Sequence, residues 1–216
     1  MTTTSNLPPL SSTSPIKFGK TLFVHRLGHK KSILLTSLYR PRVKNAFNDD
    51  QYSDLVNLMN AAKDDASVHA IVLTGTGDYF SSGADISNVA VDSDTIDRPT
   101  GKFMLTLLSF PKVFVAAVNG PAIGIGVTLL LHCDLVYCTQ KSTFWVPFTR
   151  IAFVPEFCSS VLLVETCGLN RANEMLLMAK KIDAKKAVEN RIVCDIIDNC
   201  DESGNPFAAN SIGSKV

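Results

Sequence analysis

The sequence lacks an excess of charge of either sign. Its 21 lysine and arginine residues stand against 20 aspartate and glutamate residues, a formal net charge of +1 at pH 7. A domain that binds nucleic acid or an anionic membrane surface normally carries a basic excess. No apolar run is long enough to span a bilayer, and the N-terminus has neither the basic nor the apolar region of a signal peptide. These absences favour a small-molecule partner, with no nucleic acid and no membrane span.

Patterns typical of metal and disulfide frameworks are missing as well. The six cysteines include no C-x-x-C pair, and the four histidines do not have metal-ligand spacing. Several cysteines lie in apolar stretches, which is typical of reduced core residues in an intracellular protein. We therefore expect no metal site and no disulfide framework.

The length and composition predict one α/β domain with a real core, since 46% of the 216 residues are hydrophobic. Residues 1–16 are rich in serine, threonine and proline and are expected to be a disordered tail. The folded domain is expected over residues 17–198, and residues 199–216 are expected to be a C-terminal tail. The final Ser214-Lys215-Val216 resembles the Ser-Lys-Leu peroxisomal address except in its last side chain, and a chance ending is the alternative.

A glycine-punctuated turn connects the most apolar strand to the most apolar helix. Residues 113–118 have the length and β-branched content of a core strand, and residues 127–133 are typical of a helix with almost no polar face. Gly120, Gly124 and Gly126 permit close approach or positive φ, and a helix that begins there aims free N–H groups into the turn. Such a turn suits an anion or a developing oxyanion, although a plain strand–helix connection is the alternative.

A second loop of small residues, Phe80-Ser81-Ser82-Gly83-Ala84-Asp85-Ile86, directly follows the predicted strand at residues 70–75. Serine and aspartate there are also consistent with an ordinary helix entry. Two such loops brought together would offer two converging backbone donors, which is how an oxyanion hole is made.

Glu156 is the most informative single residue, because its neighbours Phe153, Val154, Phe157 and Cys158 are apolar or nearly so. Burial in an apolar pocket would raise the pKa of this carboxyl and allow it to shuttle a proton near neutral pH. A surface glutamate placed before a helix by the helix dipole is the alternative.

The two loops, the segment Arg40-Pro41-Arg42-Val43-Lys44-Asn45-Ala46 and the segment Cys133-Asp134-Leu135-Val136-Tyr137 together resemble the enoyl-CoA hydratase/isomerase, or crotonase, superfamily over about residues 20–198. The resemblance implies an α/β fold, a crotonase-like spiral of β-β-α units around an acyl-CoA site, here with a shortened C-terminal helical region. That region usually takes part in trimer formation, which makes a homotrimer a possible assembly. The expected substrate is an acyl-CoA thioester, with no cofactor besides the coenzyme A that it carries.

The resemblance also implies roles for individual residues. The backbone N–H groups of Ala84 and Ile125 would form the oxyanion hole for the thioester carbonyl, and the basic segment would border the CoA site. The acyl pocket would be walled by Phe148, Phe153 and Phe157. The full set expected to contact the substrate or CoA is Arg42, Lys44, Ser82, Gly83, Ala84, Asp85, Ile86, Gly124 and Ile125.

The carboxylates distinguish the members of this superfamily. The places where hydratases carry their two glutamates hold Thr128 and Phe148 here, so hydration should be lost. Glu156 falls where peroxisomal-type Δ3,Δ2-enoyl-CoA isomerases carry their single catalytic glutamate, in a P-E-G-x-S-S pattern that has Phe157 in place of glycine. The resemblance thus implies an isomerase of unsaturated fatty-acid β-oxidation, in the peroxisome or alternatively in mitochondria or the cytoplasm. A crotonase-fold module that binds acyl-CoA or protein without catalysis is the alternative.

Overall fold

The computed structural model describes residues 6–88 and 97–197. The strands are β1 (Ile16–Phe18), β2 (Leu22–Leu27), β3 (Ile33–Leu38), β4 (Ala70–Gly75), β5 (Val113–Val118), β6 (Ala122–Ile123), β7 (Leu135–Cys138), β8 (Thr143–Trp145), β9 (Ile182–Asp183) and β10 (Asp195–Ile196). The α-helices are α1 (Asp49–Asp64), α2 (Pro99–Leu108), α3 (Ile125–Thr128), α4 (Ser159–Cys167), α5 (Leu169–Leu176) and α6 (Ala184–Glu189). Short 3₁₀ helices cover His29–Lys31, Pro41–Val43, Ile86–Asn88, Leu129–His132 and Phe148–Ile151.

A seven-stranded sheet in the order β1-β2-β3-β4-β5-β7-β10 forms the centre of the fold, and β6, β8 and β9 form a second, three-stranded sheet. The first three strands pair antiparallel, as the predicted hairpin requires, and β3, β4, β5, β7 and β10 pair parallel. Parallel strands end at the same edge of a sheet. The loops that follow β4 and β5 therefore meet at one edge, which positions the candidate site.

Helix α1 begins and packs largely as its sequence predicts. The Asn48 side chain accepts a hydrogen bond from the Gln51 N–H at 3.1 Å, so the predicted N-cap is confirmed. The Gln51 side chain does not complete the reciprocal half of a capping box, because it makes no hydrogen bond within the described residues. Tyr52, Leu55 and Met59 lie on the buried face of the helix, as helical spacing predicts.

Three local predictions are corrected. The helix expected over residues 127–133 is α-helical only to Thr128 and then tightens to 3₁₀. The sequence also predicts that Asn170 caps the helix that follows it, but Asn170 lies inside α5, which is preceded by Gly168 at φ +83°. The apolar run at residues 192–197 predicts a strand, but the chain turns or bends up to residue 194 and only β10 pairs with β7.

The predicted disordered N-terminal tail is ordered in the part that the structure describes. Pro8 is buried, and its carbonyl accepts a 2.6 Å hydrogen bond from Nε of the buried Arg26. Leu7 packs against the core, and Ile16 already belongs to β1. The composition of the segment gives no sign of these contacts with the folded domain. Residues 1–5 and the predicted C-terminal tail 199–216, with its Ser214-Lys215-Val216 ending, lie outside the described residues.

The cysteines are less uniformly buried than their apolar neighbours suggest. Cys138 is buried, but Cys158 and Cys194 are exposed. The expectation of core cysteines therefore does not hold for these two. Within residues 6–88 and 97–197, no helix combines the length and hydropathy of a membrane span, and no cluster of three potential metal ligands occurs.

Candidate active site

Backbone hydrogen bonds hold together the loops that follow β4 and β5. The N–H groups of Phe80 and Ser81 both donate to the carbonyl of Pro121, at 3.1 and 3.2 Å. The N–H of Ile123 donates to the carbonyl of Ser81 at 3.0 Å, and Ser81 and Ala122 form an isolated parallel bridge. The two loops of small residues that sequence analysis identified are therefore in direct contact.

Two glycines allow this close approach. Gly83 and Gly124 both have positive φ, +96° and +53°, which glycine adopts at no steric cost. A Cβ on Gly83 would lie 3.0 Å from the carbonyl oxygen of Ile123, so a larger residue would push the loops apart. A Cβ on Gly124 would lie 3.9 Å from the Cα of Gly83, which places the two glycines side by side.

The residues that follow these glycines carry backbone amides without a partner in the described part of the chain. The backbone N–H of Phe47 donates to the carbonyl of Gly83, and its carbonyl accepts from the N–H of Asp85, both at 2.8 Å. The N–H of Ala84, which lies between Gly83 and Asp85, takes part in neither bond. Ile125 is the first residue of α3, where helix geometry offers its N–H no intrahelical acceptor. Two free donors on neighbouring loops are what an oxyanion requires.

A buried scaffold of side chains fixes the first loop. The Ser81 hydroxyl donates to the carbonyl of Asn45 at 2.9 Å and accepts from the N–H of Gly83 at 3.1 Å. The Asn45 side-chain amide donates to the carbonyls of Thr76 and Tyr79 at 2.9 and 2.8 Å. The loop shape is therefore held before any ligand arrives.

Asp85, which was expected to contact substrate, is engaged within the protein. Its carboxylate pairs with Arg40 at 3.1 Å and accepts from the Ser87 hydroxyl at 2.6 Å. The hydrogen bond from Ser87 and the Arg40 guanidinium hold the pKa of this carboxyl below its usual value. Asp85 is thus ionised and fixes the end of the loop. Ile86, the next residue, is exposed.

The basic segment lies beside the same loop. The N–H of Ser82 donates to the carbonyl of Lys44 at 2.9 Å, and the Ser82 hydroxyl donates to the carbonyl of Val43 at 3.2 Å. The side chains of Arg42 and Lys44 are exposed, and the Lys44 ammonium lies 4.9 Å from the centre of the Tyr79 ring. Two exposed cations therefore lie in the segment whose backbone contacts the first loop.

Glu156 lies in the short loop between the 3₁₀ helix Phe148–Ile151 and α4, and its backbone carbonyl accepts from the N–H of Ser159 at 3.0 Å. Burial raises the pKa of its carboxyl from 4.5 to about 7. A carboxylate with that pKa is able to take up and return a proton at neutral pH. The predicted rise of this pKa agrees with the structure, but its predicted cause holds only for Phe157, because Phe153, Val154 and Cys158 are exposed.

An aromatic cluster lies between Glu156 and the loop that carries Ala84. The Phe103 ring lies 6.4 Å from Phe157, 5.6 Å from Tyr52 and 6.1 Å from Phe47, measured between ring centres. Phe47 is the residue whose backbone bridges the Ala84 loop, and Phe157 directly follows Glu156. Phe157, next to Glu156, and Phe47, next to the Ala84 loop, therefore belong to one aromatic cluster.

Tyr52 gives a second link to the base. Burial raises the pKa of its phenol, and the charge of Glu156 raises it further, so the carboxylate lies within electrostatic range of the ring. The helical spacing of α1 predicts that Tyr52 belongs to the core, and nothing in the sequence singles out Phe47 or Phe103. The helical spacing of Tyr52 gave its burial, but nothing in the sequence gave its proximity to Glu156.

The three predicted wall residues have different environments. Phe148 and Phe157 are buried, at 3% and 7% exposure, whereas Phe153 is 51% exposed. Phe157 belongs to the aromatic cluster next to the base. The roles of all three in an acyl pocket remain predictions, and Phe153 in its present position is the least enclosed of them.

The burial of Glu156 gives a stability prediction. A carboxyl whose pKa is raised in the folded state favours folding below the unfolded-state pKa, and this contribution is lost as the pH rises through the folded-state value. Glu156→Gln cannot ionise and should be more stable than wild type at pH 8, with little difference at pH 4.5. A rise from 4.5 to about 7 corresponds to at most about 3 kcal/mol of unfolding free energy.

Thermal unfolding at the two pH values measures this difference. Glu165→Gln, a substitution of an exposed glutamate on α4, is the matched control and should keep the wild-type pH dependence. A Glu156→Gln variant that differs equally from wild type at both pH values would show that this carboxyl is not buried.

The chain is similar in sequence to known proteins over most of its length. A family model described as Enoyl-CoA hydratase/isomerase matches residues 28–202. The mouse protein named enoyl-CoA delta isomerase 3, peroxisomal, is 37% identical over 181 residues, which is 77% of this chain and 57% of that protein. Rat enoyl-CoA delta isomerase 2 is 39% identical over 182 residues, 77% of this chain and 46% of that protein. The chain thus spans about half the length of these curated relatives.

Solved structures share the fold. A crystal structure of an enoyl-CoA hydratase/isomerase from Pseudoalteromonas atlantica T6c superimposes with a TM-score of 0.77 at 35% identity. The superposition covers 83% of this chain and 70% of that one. The predicted α/β, crotonase-like fold is confirmed by this similarity.

Proposed function

Because the chain belongs to the enoyl-CoA hydratase/isomerase family, we propose that it is a Δ3,Δ2-enoyl-CoA isomerase. It would move the double bond of a 3-enoyl-CoA to give the trans-2-enoyl-CoA, a step of unsaturated fatty-acid β-oxidation. The observation that carries the proposal is Glu156, a partly buried carboxyl whose pKa of about 7 suits a base that must also act as an acid.

The first step is proton removal at C2 of the substrate. The Glu156 carboxylate takes the proton, and the electron pair of the broken C–H bond delocalises through the thioester carbonyl onto its oxygen. The free N–H groups of Ala84 and Ile125 would hold the negative charge on that oxygen. Fixed donors on rigid loops stabilise such a charge better than water, because they need no reorganisation as it develops.

The second step returns the proton at C4. Protonated Glu156 delivers it there, the double bond forms between C2 and C3, and the carbonyl is restored. Atoms and charge balance without water or an electron acceptor, so the proposal requires no cofactor or metal. One carboxyl suffices when the proton leaves and returns on the same face of the substrate, and the apolar cluster around Phe157 would exclude competing water.

Hydration is the reaction that the site supports less well. Adding water to a double bond requires groups that activate the water and deliver its proton. By resemblance, Thr128 and Phe148 stand where hydratases of this family carry their two glutamates. Both residues are buried here, and neither can act as a carboxylate. Asp85 is occupied by its ion pair with Arg40. These features favour isomerisation over hydration.

The basic segment supports a CoA thioester as substrate, because its exposed cations suit the phosphates of CoA. Arg42→Ala and Lys44→Ala should each raise KM about two- to five-fold, the range for exposed ion pairs, with kcat unchanged. Both effects should shrink as salt is added. Lys63→Ala removes an exposed cation near the end of α1 and is the matched control. Equal KM changes in all three variants would exclude a specific role for the basic segment.

The proposed reaction is tested by incubating the purified chain with cis- and trans-3-enoyl-CoA of medium length, and separately with trans-2-enoyl-CoA. The expected result is conversion of the 3-enoyl esters to the conjugated ester at unchanged mass, with no water added to the 2-enoyl ester. Hydration of the 2-enoyl ester would contradict the proposal.

A non-catalytic acyl-CoA-binding or protein-binding module is the second candidate. Phe157, next to the base, has a φ of +52°, a conformation that glycine favours, and a distorted loop would leave a binding site without turnover. Saturable binding of CoA esters with no reaction on any of them would favour this candidate.

Two wider features of the proposed function rest on similarity alone. A peroxisomal location is supported by the name of the mouse relative. A homotrimer is supported by the family resemblance of the sequence. Both are proposals for this chain.

A further inference from the structure

The residue after the base has a backbone conformation that its side chain disfavours. Phe157 and Cys158 have φ values of +52° and +56°, in the left-handed region. For a residue with a Cβ this region is unfavourable relative to ordinary conformations. Contacts from the surrounding structure are therefore needed to hold this loop, which also carries Glu156.

His132 contacts Phe157 in two ways. Its imidazole ring stacks on the Phe157 ring, with centres 3.8 Å apart and an angle of 26° between the planes. Its Nε2 lies 2.9 Å from the carbonyl oxygen of Phe157. A carbonyl only accepts, so Nε2 carries the hydrogen and donates it.

The surroundings of His132 favour that arrangement. Burial lowers the pKa of the imidazole, opposed in part by the hydrogen bond to Phe157, so the ring is neutral at physiological pH. On its other side, Phe157 meets the edge of Phe103. Phe157 is thus held through its carbonyl by His132, and through its ring by both His132 and Phe103.

We propose that His132 is a positioning residue for Glu156, acting through Phe157. It holds the strained Phe157 backbone in the conformation that keeps the Glu156 carboxyl buried beside the aromatic cluster. The expected effect on kcat rests on the proposed function, whereas the effect on the position of the Glu156 carboxyl does not. It gives a role to a histidine that sequence analysis left without one.

Kinetics on three variants separate the two contacts. His132→Phe keeps the stacking and loses the donor, His132→Gln keeps a donor and loses the ring, and His132→Ala loses both. We expect His132→Ala to lower kcat about 10- to 100-fold, the cost of a misplaced catalytic group, with KM within about three-fold. The other two variants should retain intermediate activity. His29→Leu, which removes an exposed histidine far along the chain, is the control.

The partner residue supplies a sharper test. Glycine adopts positive φ without strain, so in a Phe157→Gly background the His132→Ala change should lower kcat less than about three-fold. Equal losses in the two backgrounds would overturn the proposal. So would wild-type kcat in a folded His132→Ala protein. If His132→Ala does not fold, the same comparison is made with His132→Phe and His132→Gln.

A readout without substrate distinguishes this inference from the proposed reaction. The Glu156 carboxyl of the ligand-free protein is titrated by carbon NMR, assigned by its absence in Glu156→Gln. In wild type it should titrate near 7, and in His132→Ala the midpoint should fall towards 4.5 as the loop opens to water. An unchanged midpoint would overturn the positioning role, whereas a wild-type protein inactive on 3-enoyl-CoA would overturn only the proposed reaction.

Discussion

Glu156→Gln should lower kcat for isomerisation of 3-enoyl-CoA by about 10³- to 10⁴-fold, the upper part of the range attributed to general acid–base catalysis. Glutamine has almost the same shape but can neither take the proton from C2 nor return it to C4. Since it removes a group that acts in the transition state, KM should change little. Steady-state kinetics and equilibrium binding of a CoA ester measure the two effects separately.

The pH dependence of the wild type gives an independent check on the same residue. The carboxyl must be ionised to accept a proton, and burial raises its pKa to about 7. The value of kcat/KM should therefore rise with pH up to about 7 and level off above it. Glu165→Gln should keep both the rate and this profile. A Glu156→Gln variant with substantial turnover would remove Glu156 from the role of base.

Ala84→Pro should lower kcat about 10²- to 10³-fold, the usual cost of losing one oxyanion donor. Proline removes the backbone N–H, and its ring also fixes φ at position 84 and restricts the conformation of Gly83, so the fold of the variant must be measured alongside its rate. Position 84 tolerates the test well, because Ala84 is exposed and its N–H makes no hydrogen bond within residues 6–88 and 97–197. The bonds that anchor the loop belong to Gly83 and Asp85 on either side.

Ala84→Ser is the matched control, since it changes the side chain and keeps the N–H. It should retain activity within about three-fold, because substitutions of exposed side chains usually change the stability of a protein little. Circular dichroism and thermal unfolding establish that both variants fold. Similar kcat values for the proline and serine variants would mean that the Ala84 amide does not stabilise the developing charge.

The parts of the site that follow from local sequence were predictable. The sequence shows two loops of small residues after two apolar strands, and the family resemblance implied that they meet; the parallel pairing of β4 with β5 explains why they do. The cap from Asn48 and the buried face of α1 follow from helix geometry in the same way. The raised pKa of Glu156 was expected from its four apolar sequence neighbours, but only Phe157 of these four is buried, so contacts from other parts of the chain contribute to the burial.

The parts that depend on contacts between distant segments were not predictable. His132 and Phe157 are separated by 25 residues, and neither shows its partner in the sequence. Likewise, the composition of residues 6–16 suggested disorder. The hydrogen bond from Arg26 to Pro8 joins residues 18 positions apart, so no local pattern shows it. Phe153, which resembles the other apolar loop residues in sequence, is half exposed because the fold leaves it at the surface.

Deuterium transfer in the first turnover tests the central claim most directly. A 3-enoyl-CoA with both C2 hydrogens replaced by deuterium is mixed with excess enzyme in ordinary water, quenched, and analysed by mass spectrometry and NMR. If Glu156 alone carries the proton between the two carbons within an apolar site, part of the deuterium lost from C2 will be found at C4. A product whose C4 hydrogen comes entirely from solvent, with Glu156→Gln as fast as wild type, would contradict the account.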